Sequence, residues 1–350
     1  MKNKKYFGEK LIKWDRNHNT RHMPWKGERD PYRVWVSEII LQQTRVEQGT
    51  AYYQRFIGRW PDVKSLAAAR EDEVYKAWEG LGYYTRCRNL IATARHIAGA
   101  LDGRFPDRYE DILQLRGVGT YTAAAIASFA FRLPHAVLDG NVFRVLARFF
   151  GIDTPVDSPG GKKLFSTLSA ELLDRSNPGA YNQAIMDFGA VVCKPQQPAC
   201  GICPLAAKCV AMRDQRIREL PVKGKSIKQR TRYFHYFIVE QGGAVYVRKR
   251  TGNDIWKNLY EFPLLETGRP VPARRLLQMA GTRRLLGEGY RVKKISEDYL
   301  QKLTHQVIHG RFYHLSAKAG WTVPEGFEKV AAGQLQERPF PKFITSYLRD

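Results

Sequence analysis

The segment Leu115–Ala123, which reads LRGVGTYTA, decides the fold class of the first part of the chain. Its Gly-x-Gly turn stands directly before a run with helical hydrophobic spacing that begins at Thr120. Glycine lets backbone N–H groups approach an anion closely, and the N-terminus of the following helix favours a phosphate. A helix-hairpin-helix holds a DNA backbone in this way without reading base sequence. A Gly-x-Gly turn alone is weakly specific, so its surroundings decide between this motif and an ordinary turn.

The helical spacing continues on both sides of this turn and is interrupted by Gly and Pro residues. It predicts helical stretches over residues 6–18, 35–56, 66–78, 90–101, 120–131 and 142–149. We therefore predict an all-helical region that spans residues 1–212. The sequence contains no internal repeat and no low-complexity tract.

Composition and periodicity both change after this region. Residues 213–231 are rich in lysine and arginine, which is typical of an exposed basic linker, although a direct DNA contact is equally compatible with this composition. Period-two alternation then predicts strands over 232–240 and 243–250. Further predicted elements are a helix over 272–279 and strands near 290–295 and 311–315. We expect residues 232–350 to form a mixed α/β domain, so the chain is predicted to be multidomain.

The charge of the chain points to an anionic partner. Its 350 residues include 57 Lys and Arg and 34 Asp and Glu, so the formal net charge is +23. Nucleic acid is the first candidate, and a generally basic surface is the alternative. No apolar run is long enough to span a membrane and no apolar stretch follows the charged N-terminus, which predicts an intracellular, cytoplasmic protein with no membrane contact. No oligomerisation pattern is present, so a monomer is expected.

Four of the five cysteines fall in one short window, which is not a spread disulfide framework. Their spacing is C-x6-C-x2-C-x5-C, and the four residues are Cys193, Cys200, Cys203 and Cys209. Structural zinc usually shows two close pairs, and only one close pair is present here. The wider gaps favour an iron–sulfur cluster, whose ligands stand further apart, although zinc stays open on coordination grounds.

Two acidic residues are candidates for acid–base chemistry. Glu38 has Val34, Trp35 and Leu41 as helical neighbours, which places its carboxyl on an apolar face where desolvation raises the pKa. The alternative for Glu38 is an exposed or ion-paired side chain. Asp139 precedes a helical run, so from the residue alone a helix N-cap is the favoured interpretation. A general acid with a second, ionised carboxylate is the pair that breaks a glycosidic bond through an oxocarbenium-like transition state.

These motifs together resemble the helix-hairpin-helix DNA glycosylases that carry an iron–sulfur cluster. Within that superfamily the chain resembles the MutY family of adenine DNA glycosylases over nearly its whole length. The resemblance is carried by the hairpin, by the cysteine spacing and by these segments: Pro24-Trp25, Asp30-Pro31-Tyr32, Trp35–Thr44, Gly80–Tyr84 and Leu138–Val142. It implies a 4Fe–4S cluster bound within residues 193–209. It also implies removal of adenine mispaired with 8-oxoguanine or guanine in double-stranded DNA during base-excision repair, by an enzyme located at the nucleoid.

The resemblance implies a role for each catalytic candidate. Glu38 corresponds to the acid that protonates adenine at N7, and Asp139 to the carboxylate that stabilises or captures the oxocarbenium ion. Asn141 corresponds to the residue that orients groups beside Asp139, and Tyr121 to a tyrosine near the reacting sugar. Base flipping is implied because the acid is buried. The endonuclease III branch has a lysine nucleophile where this chain has Tyr121, so a monofunctional glycosylase without efficient lyase activity is implied.

The resemblance also implies DNA contacts. Gln43 and Tyr83 correspond to residues that fill or wedge the duplex, and Thr44 corresponds to a contact near the opposite base. The hairpin residues implied to contact the DNA backbone are Gly117, Val118 and Gly119. The residues that match the adenine pocket are Arg21, Trp25, Lys26 and Asp187.

The C-terminal portion resembles the MutT-like (Nudix-like) domain by which this family recognises 8-oxoguanine. It lacks an Arg-Glu-x-x-Glu-Glu run, so nucleoside triphosphate hydrolysis is not expected. Lys302–His305 resembles the family's recognition loop, which makes Thr304 and His305 the recognition candidates. From the residues alone, the favoured interpretation of His305 is an ordinary polar residue at a strand end.

The chain departs from the family pattern at four positions: Arg116 replaces a proline, Lys26 an arginine, Leu303 an aromatic residue, and Asp187 is the shorter of two acids. Lys26 loses a planar two-donor contact.

Two other functions stay open. One is an oxidised-pyrimidine glycosylase and lyase of the endonuclease III kind, which Tyr121 and the extra C-terminal domain disfavour. The other is a catalytically silent DNA-binding or redox-sensing iron–sulfur protein, which the presence of both Glu38 and Asp139 disfavours.

Overall fold

A computed structural model describes residues 2–224, 229–319 and 321–350. The α-helices are α1 (Lys2–His18), α2 (Pro31–Leu41), α3 (Val46–Arg59), α4 (Val63–Ala68), α5 (Glu71–Ala77), α6 (Tyr84–Ala100), α7 (Tyr109–Gln114), α8 (Thr120–Phe129), α9 (Gly140–Phe150), α10 (Pro159–Leu172), α11 (Pro178–Val191), α12 (Val210–Arg213), α13 (Ala273–Gln278), α14 (Ala280–Leu286) and α15 (Lys342–Tyr347). The strands are β1 (Arg230–Gln241), β2 (Ala244–Lys249), β3 (Tyr260–Glu261), β4 (Leu264–Thr267), β5 (Tyr290–Ile295), β6 (Tyr299–Lys302), β7 (Gln306–Ala317) and β8 (Glu328–Ala331).

The described residues form two compact units. The first contains those of ranges 1–68 and 88–225, and the second contains those of ranges 69–87 and 226–350. The first unit is all-helical and the second carries the sheet, so the predicted combination of an all-α part with an α/β part is confirmed. The predicted basic linker, 213–231, includes residues 225–228, which lie outside the described residues. The predicted domain boundaries stay a prediction.

The core of the first unit forms because its helices carry apolar residues at helical spacing. On α1, Phe7, Leu11 and Trp14 lie on one side and are buried. The ring of Phe7 lies 5.0 Å from that of Phe149 on α9. The ring of Trp14 lies 5.0 Å from that of Phe188 on α11. These contacts fix α1, α9 and α11 against one another.

Two helices of this unit begin at a cap followed by proline. Asp30 caps α2 and Ser158 caps α10, and each side chain accepts a 2.9 Å hydrogen bond from a first-turn N–H group. Pro31 and Pro159 occupy the first helical positions, where the missing N–H group costs nothing. The helical periodicity did not identify α10 or α11.

The predicted single helical stretch over 35–56 is wrong. α2 ends at Leu41 and α3 begins at Val46, because Gln43 between them has a left-handed backbone with φ 56°. The predicted stretch over 66–78 also divides, into α4 and α5. The other predicted helices in this part are confirmed with shifted ends.

The second unit is built on a mixed sheet in the order β3-β2-β1-β7-β5. β1 pairs with β7 in parallel, and the other pairs are antiparallel. α13 and α14 cover one face, where Leu276 and Leu286 are buried against Phe237, Tyr246 and Tyr313 of the strands. α5 belongs to this unit although it comes from the helical part of the sequence. None of the described helices combines the length and the apolar character needed to cross a membrane.

Candidate active site and cysteine loop

A cavity of about 410 Å³ in the first unit contains the residues predicted to be catalytic. Glu38 comes from α2 and Tyr121 from the first turn of α8, and Asp139 and Asn141 stand at the start of α9. Four residues predicted to contact adenine or its partner base also line it: Arg21, Trp25, Lys26 and Thr44. The fold therefore brings together side chains that are up to 120 residues apart in sequence, from Arg21 to Asn141.

Glu38 lies in an apolar wall of this cavity. Its side chain is 5 % exposed, and Val34 and Leu41 line the cavity beside it. Burial raises the pKa of Glu38 to about 7, and the negative charge of Asp139 adds to the increase, while the Tyr121 hydroxyl opposes it by donating a hydrogen bond to the carboxylate. A carboxyl that keeps its proton near neutral pH can act as a general acid.

This buried carboxyl is expected to cost stability at alkaline pH. The pKa of Glu38 is about 7 in the folded chain and near its ordinary value of 4.5 in the unfolded chain, so the folded state binds the extra proton between these values. The free energy of unfolding therefore falls by about 3 kcal/mol as pH rises from 4.5 to above 7. We expect Glu38→Gln to raise the thermal midpoint at pH 8.5 and to leave it nearly unchanged at pH 4.5. Calorimetry of both chains at the two pH values checks this, and equal midpoints at pH 8.5 would contradict it.

Asp139 is both a helix cap and a cavity residue. Its Oδ1 atom accepts a 2.8 Å hydrogen bond from the N–H group of Val142, which caps α9. Its Oδ2 atom accepts a 2.7 Å hydrogen bond from the side-chain amide of Asn141. Burial raises the pKa of Asp139, and these donors oppose the increase because they favour the ionised carboxylate. The cap and the catalytic interpretation, which were alternatives from the sequence, are compatible.

Asp187 is fully buried and holds two residues of the cavity wall in place. Its carboxylate accepts hydrogen bonds from Arg21 at 2.7 Å and from Lys26 at 3.0 Å. Asn19 and Gln183 donate two more, at 2.9 and 3.1 Å. A carboxylate has about four acceptor positions, so Asp187 is saturated. In this arrangement it positions Arg21 and Lys26 and has no free oxygen for a base edge.

The predicted hairpin lies between α7 and α8. Gly117 has φ +81°, and a Cβ atom there would lie 2.7 Å from the Cβ atom of Asn89, so glycine is required on two grounds. Val118 is buried and anchors the turn, while Gly117 and Gly119 are exposed. Gly119 is the N-cap of α8. The turn thus places two exposed glycines directly before the N-terminus of α8.

The other predicted DNA contacts lie on exposed turns. Gln43 is exposed between α2 and α3. Tyr83, in the second unit, is 45 % exposed and has a left-handed backbone with φ 47°. Its hydroxyl is hydrogen-bonded to the hydroxyl of Thr304, which lies with His305 in the turn between β6 and β7. Within the second unit, a hydrogen bond therefore joins the predicted wedge residue Tyr83 to the predicted recognition loop Lys302–His305.

The cysteine loop, residues 193–209, follows α11. Its four cysteines are partly buried around a small, almost entirely apolar cavity of about 30 Å³. No three His, Cys, Asp or Glu side chains in the described ranges are placed to hold one metal ion. Four thiols that line one apolar pocket fit the donor set of a thiolate-bound metal centre.

Two arginines one turn apart on α9 hold this loop. The Arg148 guanidinium donates to the carbonyls of Lys194 and Pro195 at 2.7 and 3.1 Å, and its Nη1 atom lies 3.5 Å from Sγ of Cys193. The Nε atom of Arg144 donates to the carbonyl of Cys193 at 2.7 Å. The backbone of the loop is therefore fixed by side chains of the helix that Asp139 caps.

Arg144 also reaches the catalytic candidates. Its Nη2 atom donates at 2.8 Å to the side-chain oxygen of Asn141, whose amide in turn donates to Asp139. A chain of hydrogen bonds therefore runs from Cys193 through Arg144 and Asn141 to Asp139. Arg144 and Arg148 were not among the predicted site residues, although a signal existed: charged residues stand one turn apart within the apolar run of α9.

Two family models match the chain. Residues 36–166 match the HhH-GPD superfamily of base excision DNA repair proteins, and residues 235–350 match the NUDIX domain. The first match contains Glu38, Tyr121 and Asp139, and the second contains the predicted recognition loop Lys302–His305. The helical glycosylase fold followed by a Nudix-like domain is thereby confirmed.

Solved structures of DNA-repair enzymes share the helical fold. A thermostable thymine-DNA glycosylase has a TM-score of 0.57 and 28 % identity and covers 61 % of this chain and 98 % of its own length. Endonuclease III in a non-covalent complex with DNA has a TM-score of 0.50 and 20 % identity over 60 % of this chain and 95 % of that one, which supports the fold alone.

Two curated relatives both have the name adenine DNA glycosylase. The adenine DNA glycosylase of Buchnera aphidicola subsp. Schizaphis graminum is 34 % identical over 261 residues, which is 75 % of each chain. The adenine DNA glycosylase of Homo sapiens is 41 % identical over 214 residues, which is 59 % of this chain and 39 % of the human one. With these relatives and with both domain types present, the chain belongs to the adenine DNA glycosylase family of base-excision-repair enzymes.

Proposed function

We propose that this enzyme removes adenine mispaired with 8-oxoguanine or guanine in double-stranded DNA. One observation carries the proposal: a carboxyl that keeps its proton and a carboxylate held by donors, Glu38 and Asp139, line the same cavity. This pair is what hydrolysis of an N-glycosidic bond requires. The resemblance of Thr304 and His305 to the family's recognition loop supports 8-oxoguanine as the base opposite adenine.

The proposed reaction begins when adenine leaves the base stack and enters the cavity. Glu38 transfers its proton to N7 of adenine, the bond from C1′ to N9 breaks, and its electron pair stays with the base. The oxocarbenium ion that forms is stabilised by the Asp139 carboxylate, which Asn141 and the α9 N–H groups hold in place. Water then adds to C1′ and gives up a proton, which leaves an abasic site.

The same cavity supports a monofunctional glycosylase. A lyase of this superfamily needs a lysine amine that attacks C1′. At the corresponding position Tyr121 donates its hydroxyl to Glu38. Lys26 lines the cavity, but its ammonium is bound to Asp187 at 3.0 Å and to the carbonyl of Arg21 at 3.3 Å. Efficient strand cleavage is therefore not part of the proposal.

We propose a 4Fe–4S cluster as the resident cofactor. The ligands would be the four partly buried thiols of Cys193, Cys200, Cys203 and Cys209, within an apolar pocket that Arg148 borders. When bound, the cluster would fold the loop that ends at Cys209. Arg144 and Arg148 fix the backbone around Cys193 by donating hydrogen bonds to the carbonyls of Cys193 and Lys194.

The proposed function also has a domain organisation and a mode of DNA contact. We propose a helical catalytic region over 1–212, a basic linker over 213–231 and a MutT-like domain over 232–350. The enzyme would act as a monomer on duplex DNA, and therefore in the cytoplasm at the nucleoid. The hairpin Gly117–Gly119 would contact phosphates through its exposed backbone.

Single-turnover base release from three duplexes tests the function. Each duplex holds one adenine, opposite 8-oxoguanine, guanine or thymine, and alkali reveals abasic sites. We expect release opposite 8-oxoguanine and guanine and none opposite thymine, with strand breaks only after alkali. Release from no adenine duplex would overturn the proposal, and breaks without alkali would overturn its monofunctional part.

Elemental analysis of the purified full chain tests the cofactor. We expect about four iron atoms per chain with the broad visible absorbance of an iron–sulfur cluster. Stoichiometric zinc without iron would refute the cluster.

The pKa of Glu38 sets the expected pH dependence of base release. Because the acid must be protonated and its pKa is raised to about 7, the single-turnover rate should be highest below this value. It should fall about tenfold per pH unit well above pH 7. Rates measured from pH 6 to 9 with saturating enzyme check this, with A:G duplex binding measured at each pH as the control. A rate that rises from pH 7 to 9 would exclude Glu38 as the proton donor.

A further inference from the structure

The helix α5 is held by the strands of the second unit through Asp72. Its Oδ1 atom accepts a 2.6 Å hydrogen bond from the ammonium of Lys249, and its Oδ2 atom accepts one of 3.2 Å from the hydroxyl of Tyr260. Lys249 and Tyr260 are directly opposite each other on the antiparallel pair β2 and β3. Two donors on neighbouring strands thus bind the two oxygens of one carboxylate. We call this arrangement the Asp72 clasp.

The Asp72 clasp is partly buried and has a second contact beside it. The Asp72 side chain is 23 % exposed and that of Lys249 34 % exposed, so the ion pair is partly shielded from water. Burial and the Asp72 charge raise the pKa of Tyr260 to about 12, which keeps its hydroxyl a donor. A second contact lies one turn further along α5, where the amide of Asn258 donates to the Tyr75 hydroxyl at 3.1 Å.

Residues 78–83 form a hydrogen-bonded turn that connects α5 to Tyr83. The indole N–H of Trp78 donates to the carbonyl of Gly82 at 3.1 Å. The guanidinium of Arg86 lies over the rings of Trp78 and Tyr83, at 5.3 and 5.6 Å from their centroids, and donates to the carbonyl of Gly82 at 3.3 Å. A displacement of α5 would therefore move the exposed ring of Tyr83.

At the end of this turn, the Tyr83 hydroxyl is hydrogen-bonded to Thr304, which belongs to the same unit. We propose that the Asp72 clasp sets the position of Tyr83 against the recognition loop Lys302–His305. Asp72 is thus a positioning residue for discrimination of the base opposite adenine. This inference rests on the proposed function, because it assigns to Asp72 an effect on the preference for 8-oxoguanine over guanine.

A double-mutant cycle between Asp72 and Lys249 tests the clasp. We expect Asp72→Ala and Lys249→Ala each to reduce the ratio of the A:8-oxoG rate to the A:G rate by about tenfold, which matches loss of one charged hydrogen bond. The double variant should lose little more than Asp72→Ala alone, because the contact between Lys249 and Asp72 is already absent from that variant. The A:G rate should stay within about twofold of the unchanged chain.

The control pair is Lys293 and Glu240, an exposed ion pair of 2.7 Å in the same unit. Lys293→Ala and Glu240→Ala should leave the rate ratio unchanged. If Asp72→Ala keeps the full ratio, or if the losses of the two clasp variants simply add, the proposal is overturned.

A third variant separates the clasp from general damage to the domain. In a Thr304→Ala background, Asp72→Ala should change the rate ratio by less than about twofold, since the contact that the clasp positions is already absent. A full tenfold further loss in that background would refute the proposed route through Tyr83. If the unchanged chain itself shows no preference for 8-oxoguanine over guanine, the proposed recognition function fails, which is distinct from failure of the clasp.

Discussion

Glu38→Gln is expected to slow adenine release from an A:8-oxoG duplex by a factor of about 10² to 10⁴, the usual contribution of a general acid. Glutamine has nearly the same shape and can still accept the hydrogen bond from Tyr121, so the cavity should keep its form. It has no proton to give to N7, and the departing base must then leave as an anion. Single-turnover rates with saturating enzyme, together with duplex affinity, measure the effect, and the affinity should change by less than about threefold.

The matched control is Glu9→Gln on α1, since the Glu9 carboxyl is 64 % exposed and its only ion-pair partner among the described residues is Lys5, at 3.9 Å. This variant should release adenine at the unchanged rate. A Glu38→Gln chain that turns over within about threefold of the original rate would show that another group supplies the proton.

Arg144→Gln is expected to have the largest combined effect on stability and rate. The guanidinium is 8 % exposed and donates to four oxygens, of Cys193, Gly140, Asn141 and Gly189, at 2.7 to 3.3 Å. Glutamine is too short to reach these acceptors together, so buried carbonyls lose their donor. Breaking such a buried charged network costs about 3–5 kcal/mol in unfolding free energy.

The effect on rate follows from the same network. Without Arg144 the Asn141 amide is free to turn away from Asp139, and the carboxylate loses one of the donors that keep it ionised. We expect adenine release to slow by at least about tenfold, which is one lost charged hydrogen bond in the transition state. Thermal midpoint, iron content and single-turnover rate should be measured on one preparation.

Two comparisons make the Arg144 result interpretable. Arg144→Lys keeps the charge but not the forked geometry, so it should recover part of the stability. Lys163→Gln, at an exposed position on α10, removes a positive charge elsewhere and should change neither the thermal midpoint nor the single-turnover rate. If Arg144→Gln keeps the thermal midpoint and the adenine-release rate of the unchanged chain, the hydrogen bonds from Cys193 through Arg144 to Asp139 carry no coupling.

The sequence predicted the fold best where hydrophobic spacing is regular. α1, α8 and α9 were predicted because their apolar residues repeat at helical spacing. The run after Trp35 looked like one helix because its spacing continues through residues 42–45, where Gln43 takes a backbone conformation that periodicity does not encode. α10 was missed because Pro159 and the following glycines resemble a break, although proline at the first helical position after a Ser158 cap starts a helix.

The sequence predicted individual site residues well, but it did not predict the hydrogen-bond partners that hold them in place. The apolar neighbours of Glu38 are local in sequence, so its burial could be predicted from helical spacing. The network around Asp187 could not, because Asn19 and Lys26 come from a loop more than 150 residues away. The roles of Glu38 and Asp139 stay predictions until the variants are measured.

The assignment of residues 69–87 to the second unit bears on how the enzyme can be divided. A fragment that ends before β1 would keep the segment but lose Lys249, Asn258 and Tyr260, to which α5 is bonded. Buried Tyr75 would then lose the hydrogen bond from the Asn258 amide. Deletion of the C-terminal domain is therefore not a neutral truncation. Activity lost in such a fragment would report a displaced segment 69–87 as much as a missing Nudix-like domain.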